Sequence, residues 1–440
     1  MWLGRQQLKA VSSIIIIILS PKSMHAGQPG TKAPANLGYS NLYYHQKLVV
    51  LFAAGNSGLC DLKIDLPLMT NGVLSPANIP YYDPNKANQM QLRTLGDESV
   101  AKNVITVGSC ESNRPLKQVS FSDKYPPGKN EKVWGDCFSN PKLHPQTKHT
   151  IIRDDDIADN PEGMAATSGR GPPNSGRRIK PDVVAPSSRI LSARSTHLDI
   201  DRFQELSGLS QDPKWWLATG TSMATPLVAG CCAVVRGALR SPRSGANCPD
   251  PSAALIKAII INGAVRLRGQ YAAKGVKAEF GPVDDAPNYH YGFGRVNLDN
   301  SLQHVGRTFF DAAGKDAMEQ GKSDFKVVIP IANVKPAVSQ TLKVTLVWTD
   351  PDGEHIQNDL NLAVIAPDGK TERHGNMGDR TVFTGNADVD YDHDNNVEQV
   401  KWKGVQEGKY TVCVRAYNVH FGEKTQPFAL AWRVYPTDDR

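Results

Sequence analysis

The stretch that most constrains this chain is Thr219-Gly220-Thr221-Ser222-Met223-Ala224-Thr225-Pro226, which runs on through Leu227-Val228-Ala229-Gly230 into an apolar segment reaching about Leu239. A glycine and two threonines precede a single serine, and small and apolar residues follow at helical spacing. That pattern places Ser222 where a tight turn enters a buried helix. The N–H groups of such a helix end lie beside the hydroxyl and stabilise negative charge that develops there. Taken alone, the same pattern also fits a serine that only caps a core helix, because serine is a favoured N-cap.

A chain of 440 residues can bury a large core and accommodates two domains. Its charged residues are interspersed, and a formal charge of +6 is mild at this length, so no nucleic-acid footprint is present. Seven cysteines, at 60, 110, 137, 231, 232, 248 and 413, form no C-x-x-C pair. The odd count argues against a zinc site and against a fully paired disulfide framework, while leaving room for one or two bridges. Near the start, Arg5 and Lys9 precede the apolar run Ile14 to Leu19. This has the look of a secretory signal and implies a secreted protein, although Met24-His25-Ala26 makes a poor cleavage site. The rival reading is a segment, 1–26, outside any functional unit. The run is too short to span a bilayer, and no stable membrane span is expected.

After a Gly- and Pro-rich lead-in over 27–46, Lys47 to Ala54 is a continuous apolar run closed by Gly55-Asn56-Ser57-Gly58. Such a run reads as a buried parallel strand, and its C-terminal loop is where open α/β sheets carry their chemistry. Asn103 to Gly108 reads as a neighbouring strand. Pro251 to Ala264 opens with proline and closes near glycine, the start and stop signals of a helix. From about residue 306 the character changes. Segments at 325–330, 342–348, 360–365, 410–414 and 428–432 mix β-branched and aromatic residues and are separated by turns such as Pro367-Asp368-Gly369. They predict an all-β sandwich or jelly roll, with Trp348, Trp402 and Trp432 as core or interface residues. This part, 306–440, is expected to fold independently and to dock on what precedes it.

Gly220 to Pro226 resembles, without a gap, the nucleophile motif Gly-Thr-Ser-Met-Ala-x-Pro of the subtilisin-like serine proteases. Ala53 to Gly58 resembles the oxyanion-hole motif of that family, and Ser75-Pro76-Ala77 the start of the loop that walls its specificity pocket. Thr167 to Pro172 and Arg178 to Pro186 resemble its Ser-x-Arg-Gly-Pro and Lys-Pro-Asp-Val-x-Ala-Pro-Gly stretches, with Gly169 and Ser187 as departures. Ile190 to Ser195 and Tyr291 to Asn297 continue the likeness. Trp348 to Asp350, Asn358 to Leu362, Asn395 to Glu398 and Gln426 to Phe428 are similar to the β-sandwich of one secreted branch. The resemblance covers about 47–435. It implies an α/β fold: a parallel-sheet catalytic domain over 47–305, followed by an all-β sandwich. It also implies a serine endopeptidase, a monomer acting on protein or peptide substrates. Ser222 is then the nucleophile, Asn56 the oxyanion donor, and Gly55, Ser75 and Pro76 line the substrate.

A serine hydroxyl needs a histidine to take its proton and a carboxylate to orient that histidine. The family supplies them as Asp-x-Gly and His-Gly-Thr ahead of the asparagine. Neither context occurs here: His25 and His45 lack it, and His374-Gly375 lies in the β region. The expectation is a catalytic domain incomplete at its N-terminus, with only residual peptidase turnover. The alternative is a catalytically inactive homologue acting as a binding or scaffold protein. No cofactor is expected for the chemistry. Asp350, Asp359, Asp394 and Glu398 carry oxygen ligands of the kind that structural calcium prefers, and the rival reading is turn-forming and sheet-edge residues. The acidic run Asp154-Asp155-Asp156 reads as a solvated loop.

Overall fold

The computed structural model describes residues 14–16, 47–56, 58, 67–70, 73–76, 93–114, 156–174, 176–196, 212, 214–246, 248–267, 287–303, 308–312, 316–332, 339–380, 383–422 and 424–437. The expectations for His25, His45, Cys60, Cys137, Asp154 and Asp155 fall outside them. The first strands are β1 (Ile14–Ile16), β2 (Val49–Ala53), β3 (Pro67–Thr70), β4 (Val73–Pro76), β5 (Ile105–Cys110) and β6 (Val183–Pro186). Strands β1, β2, β5 and β6 form one sheet in that order, every pair parallel. All five residues of β2 and all six of β5 are buried, as continuous apolar runs in a parallel sheet require.

One element departs from the sequence reading. Ile14–Ile16 pair in register with Val49–Leu51, so these three residues of the run read as a leader, or as a segment outside the fold, form a strand of the described sheet. A β-branched run suits a strand as well as it suits a signal core, and only a partner strand separates the two.

Strands β7 (Ile190–Ala193) and β8 (Trp215–Ala218) pair antiparallel, and β8 leads into helix α1 (Thr221–Arg240). Helix α1 buries Val228, Cys232, Val235 and Leu239, one stripe at 3.6-residue spacing, against the sheet. Helix α2 (Ala253–Gly263) behaves differently: every residue from Ala254 to Gly263 is buried. Ser252 caps it, its Oγ accepting from Leu255 N–H at 2.9 Å. A helix buried all round needs cover on all sides. One side of α2 meets α1, and the other packs on strands of the C-terminal part.

That part follows the short helix α3 (Leu298–Leu302). It comprises β9 (Phe309–Ala312), β10 (Met318–Glu319), β11 (Phe325–Ile331), β12 (Gln340–Trp348), β13 (Asp359–Ile365), β14 (Glu372–His374), helix α4 (Ala387–Asp390), β15 (Val397–Lys403), β16 (Gly408–Asn418), β17 (Thr425–Gln426) and β18 (Phe428–Pro436). Two four-stranded antiparallel sheets result, ordered β11-β16-β13-β14 and β15-β12-β18-β9. Alternate residues of both feed one apolar cluster around Trp348, Leu362, Val412 and Leu430. Trp348 is fully buried, with its indole N–H on the Asn358 carbonyl at 2.8 Å, and Trp402 meets Tyr410 edge-on.

The opposite face of the second sheet is also covered. Val347, Val397, Ala429 and Ala431 share a cluster with Leu51, Val107, Val228 and Ile259. This bears on the expectation that 306–440 folds alone, because strands taken without α2 expose that face. The polar side of the junction agrees. The Asn262 amide, at the end of α2, donates to the Lys343 and Ala431 carbonyls and to Thr345 Oγ1. We expect Ile260→Ala to lower stability by about 2–5 kcal/mol, within a single cooperative urea transition that both parts share. Two separated transitions in the parent chain would show that the parts fold apart.

Candidate functional site

Ser222 is the second residue of α1, partly exposed at the C-terminal ends of the parallel strands. Gly220 precedes the helix at φ +142, backbone that residues with a side chain rarely adopt. Its N–H donates to the Ser187 carbonyl at 3.2 Å, and Thr219 Oγ1 accepts from Arg189 N–H, so the turn ahead of the helix is held from the strand side.

Asn56 lies directly opposite. Its Oδ1 accepts two hydrogen bonds from Thr221, one from the backbone N–H at 2.9 Å and one from Oγ1 at 3.0 Å. Two donors on one amide oxygen fix which way the amide faces. The Asn56 NH₂ is thereby left free to donate, on an exposed residue, one position from the serine. A Cβ on Gly220 would sit 3.3 Å from both amide atoms, so only glycine lets the asparagine approach this closely without displacement. Thr221 and Gly220 therefore act on Asn56. In the sequence they are visible only as parts of a motif, since nothing in their spacing says which residue they hold.

The strand behind Asn56 is clamped on both sides. Ala54 N–H donates to the Val107 carbonyl at 2.9 Å, and Gly96 N–H donates to the Ala54 carbonyl at 3.0 Å. Gly169 N–H donates to the carbonyl of Gly55, which is buried at φ +96. A Cβ on Gly169 would lie 2.3 Å from the Ala54 carbonyl, which accounts for glycine at that departure from the motif. Arg170, wholly buried, supports this wall from below through the Ala166 and Ser168 carbonyls. Ser75 and Pro76 lie in β4, which pairs with β3 as a separate hairpin. The structure thus brings Ser222, Asn56 and Gly55 together, and among the described residues Ser75 and Pro76 pair with β3 alone.

Two of the described histidines, His374 and His290, lie in settings of their own. His374 is stacked between Phe383 and Tyr391, with ring centroids 3.7 and 4.1 Å away, inside the C-terminal part. His290 follows Tyr289, whose carbonyl accepts from Gly171 N–H, and its Nδ1 is buried with no partner. Burial, with Arg170 adding to it, pushes the His290 ring down to about 4.

The four calcium candidates do not form a common set. Asp350 accepts from Asn358 N–H at 2.8 Å, Gln357 N–H at 2.9 Å and Lys102 Nζ at 2.5 Å. Asp394 is exposed in a turn, its N–H on Asp392. Asp359 and Glu398 are buried and each keeps one oxygen unpartnered. Among the described residues no three of His, Cys, Asp and Glu gather at metal-ligand spacing. Cys110, Cys231, Cys232, Cys248 and Cys413 are free thiols. One described helix, α1, is long and apolar enough to cross a membrane, and its apolar stripe lies against the parallel sheet.

A model of the subtilase family matches residues 19–294, more than half of the chain. The chain is 25% identical over 380 residues to the serine protease/ABC transporter B family protein tagA of Dictyostelium discoideum, covering 74% of this chain and 20% of that protein. It is 31% identical over 154 residues to the serine protease AprX of Bacillus subtilis strain 168, covering 35% of this chain and 27% of AprX. It therefore spans about a fifth to a quarter of the length of these curated relatives. Among solved structures, the prenylagaramide maturation protease PagA aligns at a TM-score of 0.33 with 14% identity, over 68% of this chain and 64% of that one.

The His290 environment predicts a pH dependence. A histidine free in the unfolded chain titrates near 6.5 and this one titrates near 4 in the folded chain. Between those values the unfolded state binds the extra proton, so stability is complete above about 6.5 and falls as the pH drops toward 4. Replacing His290 with glutamine should flatten that limb of the unfolding-midpoint curve. Superimposable curves for parent and variant would remove His290 as its cause.

Proposed function

The chain belongs to the subtilase family, and from that premise we propose that it carries the nucleophile and oxyanion half of a serine endopeptidase site. Ser222 Oγ attacks the scissile carbonyl of an extended peptide and forms an acyl-enzyme. The carbonyl oxygen becomes negative in that step and is held by the Asn56 amide and by the N–H of Ser222 at the start of α1. The observation that carries this reading is the double hydrogen bond from Thr221 to Asn56 Oδ1, which aims the NH₂ group outward beside the serine.

The proton of Ser222 must pass to a base. We assign no base: the Asp-x-Gly and His-Gly-Thr contexts are absent from this sequence. On this reading the whole protein hydrolyses protein or peptide substrates, the serine-protease role that the relatives' names carry.

The test compares two forms of the protein. One is the chain as it stands. The other is the chain preceded in frame by a subtilase segment that contains Asp-x-Gly and His-Gly-Thr. Fluorophosphonate labelling and casein hydrolysis are measured for both. The chain alone should show only residual turnover, and the extended form should label at Ser222 and hydrolyse casein, both lost in Ser222→Ala. In the active form, Asn56→Ala should lower kcat by roughly 10²–10³ with little change in KM, a figure that comes from this same family. Gly220→Ala should do likewise, because its Cβ displaces the amide. A folded extended form in which Ser222 stays unlabelled would favour the scaffold reading. An unchanged kcat in Asn56→Ala would mean that the amide faces a turn and not the oxyanion.

A further inference from the structure

The sheet that covers α2 carries three cations side by side. Lys343 on β12 stands directly opposite Lys401 on β15 and directly opposite Arg433 on β18. Thr345, Gln399 and Ala431 form the next row of the same face, and the Asn262 amide at the end of α2 donates to Thr345 Oγ1 there. Like charges set opposite one another on a sheet are destabilising, so a row of three needs a reason.

Lys343 has one. It is 4% exposed, and its Nζ donates to the Asn262 carbonyl at 3.1 Å and to the Ala264 carbonyl at 2.7 Å. A lysine placed there answers the carbonyl end of α2. Arg433 has none. It is partly buried, its guanidinium lies over the Tyr435 ring at 4.2 Å, and its Nε is buried with no acceptor. A guanidinium is a planar fork of donors, and burying it without an acceptor leaves its desolvation uncompensated.

The charges nearby do not balance. Among the described residues no carboxylate acts on Lys343 or on Arg433. Burial, with Arg433 and Lys401 adding to it, pushes the Lys343 amine well below the usual range. Burial holds the Arg433 guanidinium below its ordinary value, and only the Tyr435 hydroxyl acts the other way. The backbones of Lys401 and Arg433 are two strand spacings apart, about 10 Å, a gap that two long side chains turned toward one ligand can close.

We propose that Arg433, with Lys401 and Lys343 beside it, binds the phosphate group of a soluble ligand where the end of α2 meets the C-terminal sheet. The fork of Arg433 fits two phosphate oxygens at once, and Lys401 meets the remaining charge from the far side of Lys343. A carboxylate suits the row less well, because its single charge is spent on the guanidinium alone. A free phosphate fits better than a membrane headgroup, because Lys343 at the centre of the row is all but closed to the surface. The row exists only when β15, β12 and β18 are paired, so a phosphate bound there raises the unfolding midpoint by mass action.

The experiment titrates the purified chain with inorganic phosphate, by calorimetry and by thermal unfolding, at an ionic strength held constant with chloride. One phosphate per chain and a saturating rise of the midpoint are expected. Arg433→Gln should weaken binding at least about tenfold, the loss of one charge-assisted contact, and Lys401→Gln should weaken it in the same direction. Lys370→Gln, at an exposed turn of the same part, should bind as the parent does. If Arg433→Gln fails to fold, Lys401→Gln decides, because Lys401 is less deeply set. No binding by the parent, or a midpoint that rises equally in the parent and in either folded variant of the row, would overturn the site and leave a general salt effect. A second arm offers vesicles of phosphatidylcholine containing phosphatidic acid. Cosedimentation that Arg433→Gln abolishes, without any response to inorganic phosphate, would overturn the soluble source in favour of a headgroup.

Discussion

The carboxylate of Asp182 is the contact on which the rest of this fold depends. It is 1% exposed, and Lys180 Nζ meets it at 2.6 Å and Lys257 Nζ at 2.9 Å. Thr106 N–H donates to the same group at 2.7 Å. One side chain thereby ties β5, the strand it precedes and helix α2. Its backbone adds a fourth element, because the Asp182 carbonyl accepts from Phe293 N–H at 2.9 Å. Gly292 must be glycine for that turn to come close, since a Cβ would lie 2.0 Å from the Pro181 carbonyl. Burial pushes the Asp182 carboxyl up, but the two lysines overcome it and hold it below the usual range. Burial likewise drags Lys180 down to about 7. Such a cluster adds little net stability, because desolvating three charges offsets most of their attraction. What it does is position: Thr106, Lys180 and Lys257 are all held on one carboxylate, which sets β5, the approach to β6 and α2 against one another.

From Asp182 the constraint passes to the site through short steps. Thr106 fixes β5, and the next strand residue, Val107, gives its carbonyl to Ala54 N–H. Ala54 and Gly55 are then held from both sides, and Asn56 follows them in the chain. The C-terminal part acts on the same path from the other end. Asn103, which leads into β5, exchanges hydrogen bonds with the Asp350 backbone at 2.7 and 2.9 Å and receives Asn396 Nδ2 at 3.1 Å. Lys102 Nζ lies on Asp350 itself. Asp350 is thus a junction residue: its carboxylate meets Lys102 across the two parts and accepts from Gln357 and Asn358 N–H within its own.

Much of this was legible in the sequence wherever the code is local. The apolar runs at 47–54 and 103–108 named their strands because a strand buried on both faces leaves no alternation to confuse with a helix. Proline, serine and glycine bracketed α2. Ser222 and Asn56 were named by motifs whose glycines have steric reasons in the structure. What stayed illegible is pairing at a distance. Lys257 reads as the polar position of a helix, and only the fold puts it 2.9 Å from Asp182. Ile14–Ile16 carry the composition of a leader and of a strand equally, so composition alone cannot choose. Asn361 gave no signal at all, since an asparagine in a strand is unusual only once its amide oxygen is found buried and bare.

The two helices behind the parallel sheet show how far the chain is one body. Helix α1 has a buried stripe and an outward side on which Leu227 and Val234 are 43% and 46% exposed. Helix α2 has no outward side. An ordinary two-layer α/β fold buries a helix on one face, so the second apolar face of α2 is a requirement for another layer, written into residues 254–263 before any strand of the C-terminal part is made. That layer is the sheet β15-β12-β18-β9, whose inner face serves the sandwich core and whose outer face serves α2. Burying each large aliphatic side chain there contributes about 1.5–3 kcal/mol, so the four isoleucines of α2 outweigh any surface ion pair at the junction. The strand-rich part is therefore structural cover for the helix that carries Lys257, and through Lys257 and Asp182 for the strands that end at Asn56.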